Sequence, residues 1–152
     1  MHYSTREGTV EVSTDPARLD FEAIHRFLRH SPWAEGIPRE TLQRAIAHSL
    51  CFGAYGPDGF VGFARVISDR ATYAYVADVF VLPAYRGKGI GKFLMRSIMS
   101  HPELQRLSHW NLLTKDAHGL YRQSGFRSPL HPEYYMEISI PGIYAGREQS
   151  NE

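Results

Sequence analysis

The sequence has little cysteine, little net charge and no long apolar run, and each shortage excludes a class of protein. Cys51 is the only cysteine in 152 residues, which excludes an intramolecular disulfide and a multi-cysteine zinc site. The 17 Lys and Arg nearly balance the 16 Asp and Glu, which argues against a broad basic face for nucleic acid. No segment approaches the roughly 18 apolar residues of a membrane helix, and no apolar signal core follows Met1. We therefore expect a cytoplasmic chain that binds neither nucleic acid nor membrane.

The eight scattered histidines do not have the spacing of metal ligands, so the sequence predicts no metal site.

The residues that are present indicate one globular domain. Hydrophobic residues make up 43% and charged residues 22% of the chain, and its length predicts a single domain at 1–142 with a polar tail at 143–152. Apolar spacing predicts helices after a cap at Asp15 and at 38–48, 90–99 and 117–124. It predicts strands at 9–12, 50–55, 60–67, 72–82, 109–114 and 134–140. This order predicts a mixed α/β fold with a hairpin-rich first half and a βαβ second half.

A glycine-rich loop between the central strand and a helix carries the strongest functional signal. Gly87, Gly89 and Gly91 occupy alternate positions, and glycine lets a ligand approach the backbone N–H groups closely. The helix that follows adds unpaired N–H groups and a partial positive charge. Together these features predict a cradle for an anion, most often a phosphate. Three cations add to it: Arg86, Lys88 and Lys92.

Two common phosphate-binding loops fit this segment poorly. A nucleotide P-loop requires Ser or Thr after its lysine, whereas Phe93 follows Lys92. A dinucleotide-binding loop requires the spacing G-x-G-x-x-G in an early βαβ unit, which these glycines do not have.

The loop and a later helix together resemble the GCN5-related N-acetyltransferase (GNAT) family. The run Arg86-Gly87-Lys88-Gly89-Ile90-Gly91 resembles the family signature Arg/Gln-x-x-Gly-x-Gly/Ala, and the preceding Val-x-Pro-x-Tyr-Arg at 81–86 also matches. Residues 117–126, AHGLYRQSGF, resemble the family helix A-x-x-L-Y-x-x-x-G-F. The resemblance covers residues 9–140. It implies a central mixed, mostly antiparallel sheet with helices on both faces, in which strands four and five, here 72–82 and 109–114, splay apart.

The resemblance also implies a co-substrate, acetyl-coenzyme A, and the residues that would hold it. The loop backbone would bind the pyrophosphate through Arg86, Gly87, Lys88, Gly89, Ile90, Gly91 and Lys92. The backbone of Phe80, Val81 and Leu82 would pair with the pantetheine arm. Thr114 stands where the family often has an asparagine and would offer a hydroxyl near that arm.

The resemblance implies an acid, and the central strand itself offers a candidate base. Tyr121 matches the family tyrosine beside the sulfur and would act as general acid, also contacting the cofactor. Asp78 is the only acidic residue of the central strand, and it would serve as base or substrate ligand, or as a structural hydrogen-bonding group. Strict alternation puts it on the face of Ala74, Val76 and Phe80, unless a bulge changes the count. Tyr75, Glu137 and a water chain remain alternative bases.

The acceptor site is expected between the first two helices, their loop and the last strands. Its candidate lining is Trp33, Glu35, Arg65, Tyr73, Tyr75 and Tyr135. The resemblance implies acetyl transfer to the primary amine of a small molecule or peptide by direct attack, with a homodimer possible. The alternative is a non-catalytic module that senses acyl-coenzyme A. The retained Tyr121 beside an intact loop favours the enzyme.

Overall fold

The computed structural model describes residues 2–145, and a six-stranded sheet with the strand order β1-β2-β3-β4-β5-β6 forms its centre. The strands are β1 (Ser4–Glu7), β2 (Val10–Ser13), β3 (Leu50–Gly56), β4 (Gly59–Ser68), β5 (Tyr73–Val81) and β6 (His109–Leu112). The helices are α1 (Phe21–Arg29), α2 (Arg39–Ala47), α3 (Ile90–Met99) and α4 (His118–Arg122). Neighbouring strands from β1 to β5 are antiparallel, and β6 runs parallel to β5.

Helices cover both faces of the sheet and create two cores. The α3 side buries Phe93, Leu94 and Ile98 against small and branched strand residues. The other side buries Ile24 and Leu28 of α1 with Leu42 of α2. Burying apolar area of this kind is the main stabilising term in a domain of this size. The predicted α/β fold, with a mixed, mostly antiparallel sheet between helices, is confirmed.

Capping side chains set where the first helix begins. Asp15 does cap a turn, but that turn is a 3₁₀ helix at Pro16–Arg18 and not the α-helix itself. The α-helix begins at Phe21, where the Asp20 carboxylate accepts a hydrogen bond from the Ala23 N–H at 3.1 Å. Acidic side chains at this position satisfy N–H groups that have no partner within the helix.

A β-bulge interrupts β5 and changes which face its side chains occupy. Arg65 of β4 lies opposite Ala77, whereas Phe63 lies opposite Phe80, so β5 carries one residue more over this stretch. The extra residue is Asp78, whose φ of 54° is in the left-handed region. Strict alternation is therefore wrong beyond this point: Phe80 packs in the core of α1 and α2, opposite the face of Ala74 and Val76.

Two parts of the fold differ from the sequence prediction. The first strand of the β1–β2 hairpin was not predicted, because Ser4–Glu7 is polar and mostly exposed. The strand predicted at 134–140 is wrong: Pro132–Tyr134 forms a 3₁₀ turn and 135–140 has no regular secondary structure. A strand needs a partner, and within 2–145 this segment has none. Much of the predicted tail, from 146 onward, lies outside the described residues.

Each helix among residues 2–145 is too short or too polar to cross a bilayer.

Candidate active site

The divergence of two strands opens the cleft that holds the candidate site. β6 pairs with β5 only from Tyr73 to Val76, so no strand among residues 2–145 pairs with the later part of β5 on that side. A cleft of about 830 Å³ lies there. β5 and its end line it with Val79, Phe80, Val81 and Leu82, and other elements add Phe27, Trp33, Arg86, Gly91, Leu120 and Tyr121. The cleft thus joins the predicted cofactor loop, the predicted acid and one predicted acceptor residue.

The glycine loop is built to present backbone N–H groups. Gly87 and Gly89 have φ of 77° and 82°, a conformation that costs other residues about 1–2 kcal/mol. Gly89 is the N-cap of α3, no side chain caps this helix, and its first turn contains no acidic residue. The helix therefore meets the loop with its partial positive charge uncompensated.

The loop side chains divide into exposed cations and one buried anchor. Arg86, Lys88 and Lys92 are exposed, and the Arg86 Nε donates a hydrogen bond to the Val81 carbonyl at 3.0 Å. This bond ties the loop to the end of β5. Ile90 is buried in the α3 core, so only its backbone can contact a ligand.

Tyr121 lies on α4 and lines the cleft opposite β5. Its ring packs against Phe126 at 6.2 Å between ring centroids. Burial, aided by the Asp116 carboxylate, raises the pKa of Tyr121 above its ordinary value of 10. The phenol is therefore protonated at neutral pH and able to donate a proton.

Thr114 lies apart from the cleft lining and shapes the approach to α4. Its hydroxyl accepts a hydrogen bond from the Ala117 N–H at 3.0 Å. The side chain contacts a second hollow, beside β6. Its contact with the cofactor remains a prediction.

Asp78 brings two of the predicted acceptor residues together. Its Oδ2 accepts from the Arg65 Nε at 2.7 Å and its Oδ1 from the Trp33 indole at 2.9 Å. The Asp78 and Arg65 side chains are only 9% and 16% exposed, so the pair is largely withdrawn from water. Burial raises the pKa of the Tyr75 phenol, and the negative charge of the nearby Asp78 adds to this effect.

The bulge explains why this cluster faces α1 and α2. A regular strand would turn Asp78 toward the α3 core. The left-handed φ of Asp78 instead directs its carboxylate toward Arg65 and the loop after α1, where Trp33 lies. Both carboxylate oxygens are already engaged, which favours a holding role over proton abstraction.

Helix α1 contributes residues that the sequence reasoning missed. Phe27 stacks on Phe80 at 3.9 Å between ring centroids, and Arg26 and His30 also line the cleft. Phe27 follows Ile24 at helical spacing, but nothing local in the sequence indicates that α1 faces the end of β5. Tyr73 and Tyr135 instead lie beside His109 at the start of β6, outside the cleft lining.

The single cysteine has the properties of a structural residue. Cys51 is 6% exposed, and burial raises the pKa of its thiol to about 12. A neutral thiol is a poor nucleophile, so Cys51 is unsuited to form an acyl-enzyme intermediate.

Comparisons with known proteins agree with this geometry. The family model for the acetyltransferase (GNAT) domain matches residues 47–128. A relative from Gibberella zeae named as an acetyltransferase is 33% identical over 138 residues, 75% of this chain and 76% of its own. A crystal structure of a GNAT-family protein from Xanthomonas campestris pv. campestris is 52% identical, with a TM-score of 0.88 over 92% of this chain and 99% of that chain.

A more distant structure shares the fold. The N-acetylglutamate synthase from Neisseria gonorrhoeae, complexed with coenzyme A and N-acetyl-glutamate, has a TM-score of 0.65 at 18% identity, over 97% of this chain and 34% of that chain. From the matched family model and these relatives, we conclude that the chain belongs to the GNAT acetyltransferase family.

Proposed function

We propose that the protein transfers the acetyl group of acetyl-coenzyme A to the primary amine of a small molecule or peptide by direct attack. The observation that carries this proposal is the meeting of three features in one cleft. These are the unpartnered end of β5, the uncapped start of α3 after its glycine loop, and the protonated Tyr121. A fold neighbour that binds coenzyme A supports the choice of cofactor. The predicted cytoplasmic location stays a prediction.

Each part of the cleft would hold one part of acetyl-coenzyme A. The backbone N–H groups from Arg86 to Lys92 would bind the pyrophosphate, with the exposed cations screening its charge. The free edge of β5 at Val79–Leu82 would pair with the amide groups of the pantetheine arm, as an added strand does. A backbone N–H at the bulge would polarise the thioester carbonyl.

The proposed reaction needs one proton removed and one proton supplied. The neutral amine attacks the thioester carbon, the C–S bond breaks, and the electron pair leaves on sulfur as a thiolate. The Tyr121 hydroxyl donates its proton to that thiolate. The proton lost by the amine passes to water, because the Asp78 carboxylate is engaged by Arg65 and Trp33.

Asp78 accordingly has the role of a positioning residue, and Asp78→Asn tests it. Asparagine tolerates a left-handed φ and keeps the shape, but it removes the charge and replaces one of the two acceptor oxygens with an NH2 donor. Leaving Arg65 unpaired is expected to lower stability by about 3 kcal/mol. Denaturant unfolding and kcat against pH measure the two effects. The expected kcat loss is below about tenfold, with an unchanged pH profile, whereas loss of a general base typically costs about 100-fold or more.

A larger kcat loss, together with disappearance of the acidic limb of the pH profile, would identify Asp78 as the base. Arg65→Met is the matched comparison, since it breaks the same ion pair and leaves the carboxylate in place. Equal effects on stability in the two variants, with little effect of either on kcat, support the positioning role.

The charge of the cleft indicates a class of acceptor. Apart from Arg86 of the cofactor loop, its described lining contains the cation Arg26 and no Asp or Glu. A polyamine would meet this cation and no carboxylate in the described lining, and unpaired like charges disfavour binding. We therefore propose a primary amine that is otherwise neutral or carries a carboxylate.

Cofactor binding and a screen of amines test the function. Acetyl-coenzyme A at about 100 times its Kd should stabilise the protein by about 2.7 kcal/mol, which raises Tm by roughly 5–10 °C. Thiol release is then measured with amino acids, amino sugars, peptides and polyamines at equal concentration. We expect turnover with neutral or carboxylate-bearing amines at least about tenfold above that with polyamines, a difference of about 1.4 kcal/mol.

Three outcomes separate the alternatives. Absence of a Tm shift at millimolar acetyl-coenzyme A contradicts both the enzyme and the acyl-coenzyme A sensor. A shift without thiol release from any amine class supports the sensor. A preference for polyamines leaves the enzyme standing and overturns the acceptor class.

A further inference from the structure

One face of α1 borders the cleft, and it carries a cation that the proposed reaction does not use. Residues at helical spacing line the cleft from this helix: Ala23, Arg26, Phe27 and His30. Because Phe27 stacks on Phe80 of β5 at 3.9 Å between ring centroids, this face of α1 is held against the strand. Arg26 thus borders the space beside the free edge of β5.

Arg26 makes no hydrogen bond or ion pair within residues 2–145, although a carboxylate stands at a suitable spacing. Glu22 precedes Arg26 by four residues, and acidic and basic side chains at this spacing pair on a helix. Both carboxylate oxygens of Glu22 instead accept hydrogen bonds from Arg39 of α2, at 2.8 and 2.7 Å. The hydrogen bonds from Arg39 are the main cause that lowers the pKa of Glu22, and the charge of Arg26 contributes less. Arg26 therefore keeps its N–H donors for another anion.

The surroundings of Arg26 suit the binding of a carboxylate. Its side chain is exposed, and apolar side chains line the cleft around it, among them Phe27, Trp33 and Leu82. An ion pair formed against apolar side chains is less screened than one in open water. A guanidinium also binds a carboxylate through two parallel N–H donors, which fixes the orientation of the bound group.

The position of α1 favours the acceptor over the cofactor phosphates as the source of that anion. The second half of α1, which carries Arg26, meets β5 at Phe80, and the loop after the helix meets Asp78 through Trp33. These contacts lie near the bulge, where the thioester would react. The phosphates would instead lie at the glycine loop, which has its own cations.

We propose that Arg26 binds a carboxylate of the acceptor, so that the acceptor is an amino acid or another amine that carries a carboxylate. This inference rests on the proposed acetyl transfer. It narrows the acceptor class from neutral or carboxylate-bearing amines to the carboxylate-bearing ones. Binding of the carboxylate at α1 fixes one end of the acceptor and leaves its amine to reach the thioester beside β5.

Matched pairs of amines test the role of Arg26. Alanine, leucine and phenylalanine are each compared with their amides, and kcat/KM is calculated for the neutral amine because the amides are less basic. Wild-type protein is expected to prefer the acids at least about tenfold. Arg26→Gln should reduce this preference to within about twofold, chiefly through a higher KM for the acids. Arg26→Lys keeps the charge without the paired donors and should retain part of the preference.

Arg29→Gln is the matched control. Arg29 is also an exposed arginine in the last turn of α1, but it lies outside the described lining of the cleft. Both substitutions remove a positive charge that is favourable at the end of a helix, so only Arg26→Gln should change the preference. Calorimetry of the acids with protein saturated with coenzyme A measures the preference without turnover.

The outcomes separate this inference from the proposed function. Absence of thiol release with every amine contradicts the acetyl transfer, but the carboxylate site stands if the acids bind in calorimetry and Arg26→Gln abolishes that binding. Equal turnover of acids and amides by wild-type protein, or a preference that Arg26→Gln leaves intact, would overturn this inference alone. A rise of more than about threefold in the Kd for acetyl-coenzyme A in Arg26→Gln would assign the guanidinium to the phosphates and also overturn it.

Discussion

Gly89→Glu is expected to abolish the Tm shift caused by acetyl-coenzyme A and to lower kcat/KM at least about 100-fold, which corresponds to about 2.7 kcal/mol. Gly89 is the N-cap of α3, with φ of 82°, and apart from its chain neighbours no heavy atom of the described residues lies within 4 Å of the position that a Cβ would take there. A glutamate at this residue places a carboxylate at the helix start, where it competes with the phosphates for the same N–H groups. The negative charge of this carboxylate also repels the phosphates.

The Gly89→Glu substitution also strains the backbone, and a control variant must account for this strain. A residue with a Cβ loses about 1–2 kcal/mol in the left-handed conformation. Gly8, in the turn between β1 and β2, has φ of 60° and equally open surroundings. Gly8→Glu therefore reproduces the strain and the charge at a distance from the cleft. Isothermal titration calorimetry of both variants isolates the effect on cofactor binding. Unchanged affinity in Gly89→Glu would mean that the loop does not hold the cofactor.

Local signals in the sequence were enough to predict the loop and its helix. The predicted helix at 90–99 has the same bounds as α3, Ile90–Met99. The reason is that glycines with positive φ, a helix start and an apolar stripe are each properties of a few consecutive residues. The hairpin turn between β3 and β4 was predictable for the same reason, from Gly56-Pro57-Asp58-Gly59.

Features that depend on distant parts of the chain were not predictable. The bulge at Asp78 depends on the pairing of β5 with β4, and alternation within β5 gave the wrong face. Trp33, Arg65 and Asp78 were each singled out from the sequence. Their convergence, across 45 residues between Trp33 and Asp78, depends on that bulge. The helix that faces the cleft could not be identified either, because its orientation is set by packing on the sheet.

The error at 134–140 has a different physical origin. Its alternating pattern has the period of a strand, and that interpretation of the side chains was reasonable. Alternation predicts that one face of a strand is buried, but it does not identify the part of the structure that covers that face. No strand among residues 2–145 meets this segment, which is why the pattern and the structure disagree.

Tyr121→Phe is expected to lower kcat about 100- to 1,000-fold while leaving the Kd for acetyl-coenzyme A within about twofold. The ring contacts with Phe126 and the cleft lining do not need the hydroxyl, so the cofactor should bind as before. The thiolate would leave without a proton donor. Because burial raises the pKa of Tyr121 above 10, the wild-type acid stays protonated below that pH. Its deprotonation therefore should not lower kcat between about pH 6 and pH 9.

Tyr134→Phe provides the control, because that side chain is 73% exposed and lies outside the cleft. It should change neither kcat nor cofactor affinity by more than about twofold. Thioesters with a more acidic thiol should recover part of the rate lost in Tyr121→Phe, since a better leaving group needs less protonation. If the variant turns over at the wild-type rate with all thioesters, proton donation comes from solvent. A parallel fall in cofactor affinity would instead make Tyr121 a binding residue, which separates its two possible contributions to the site.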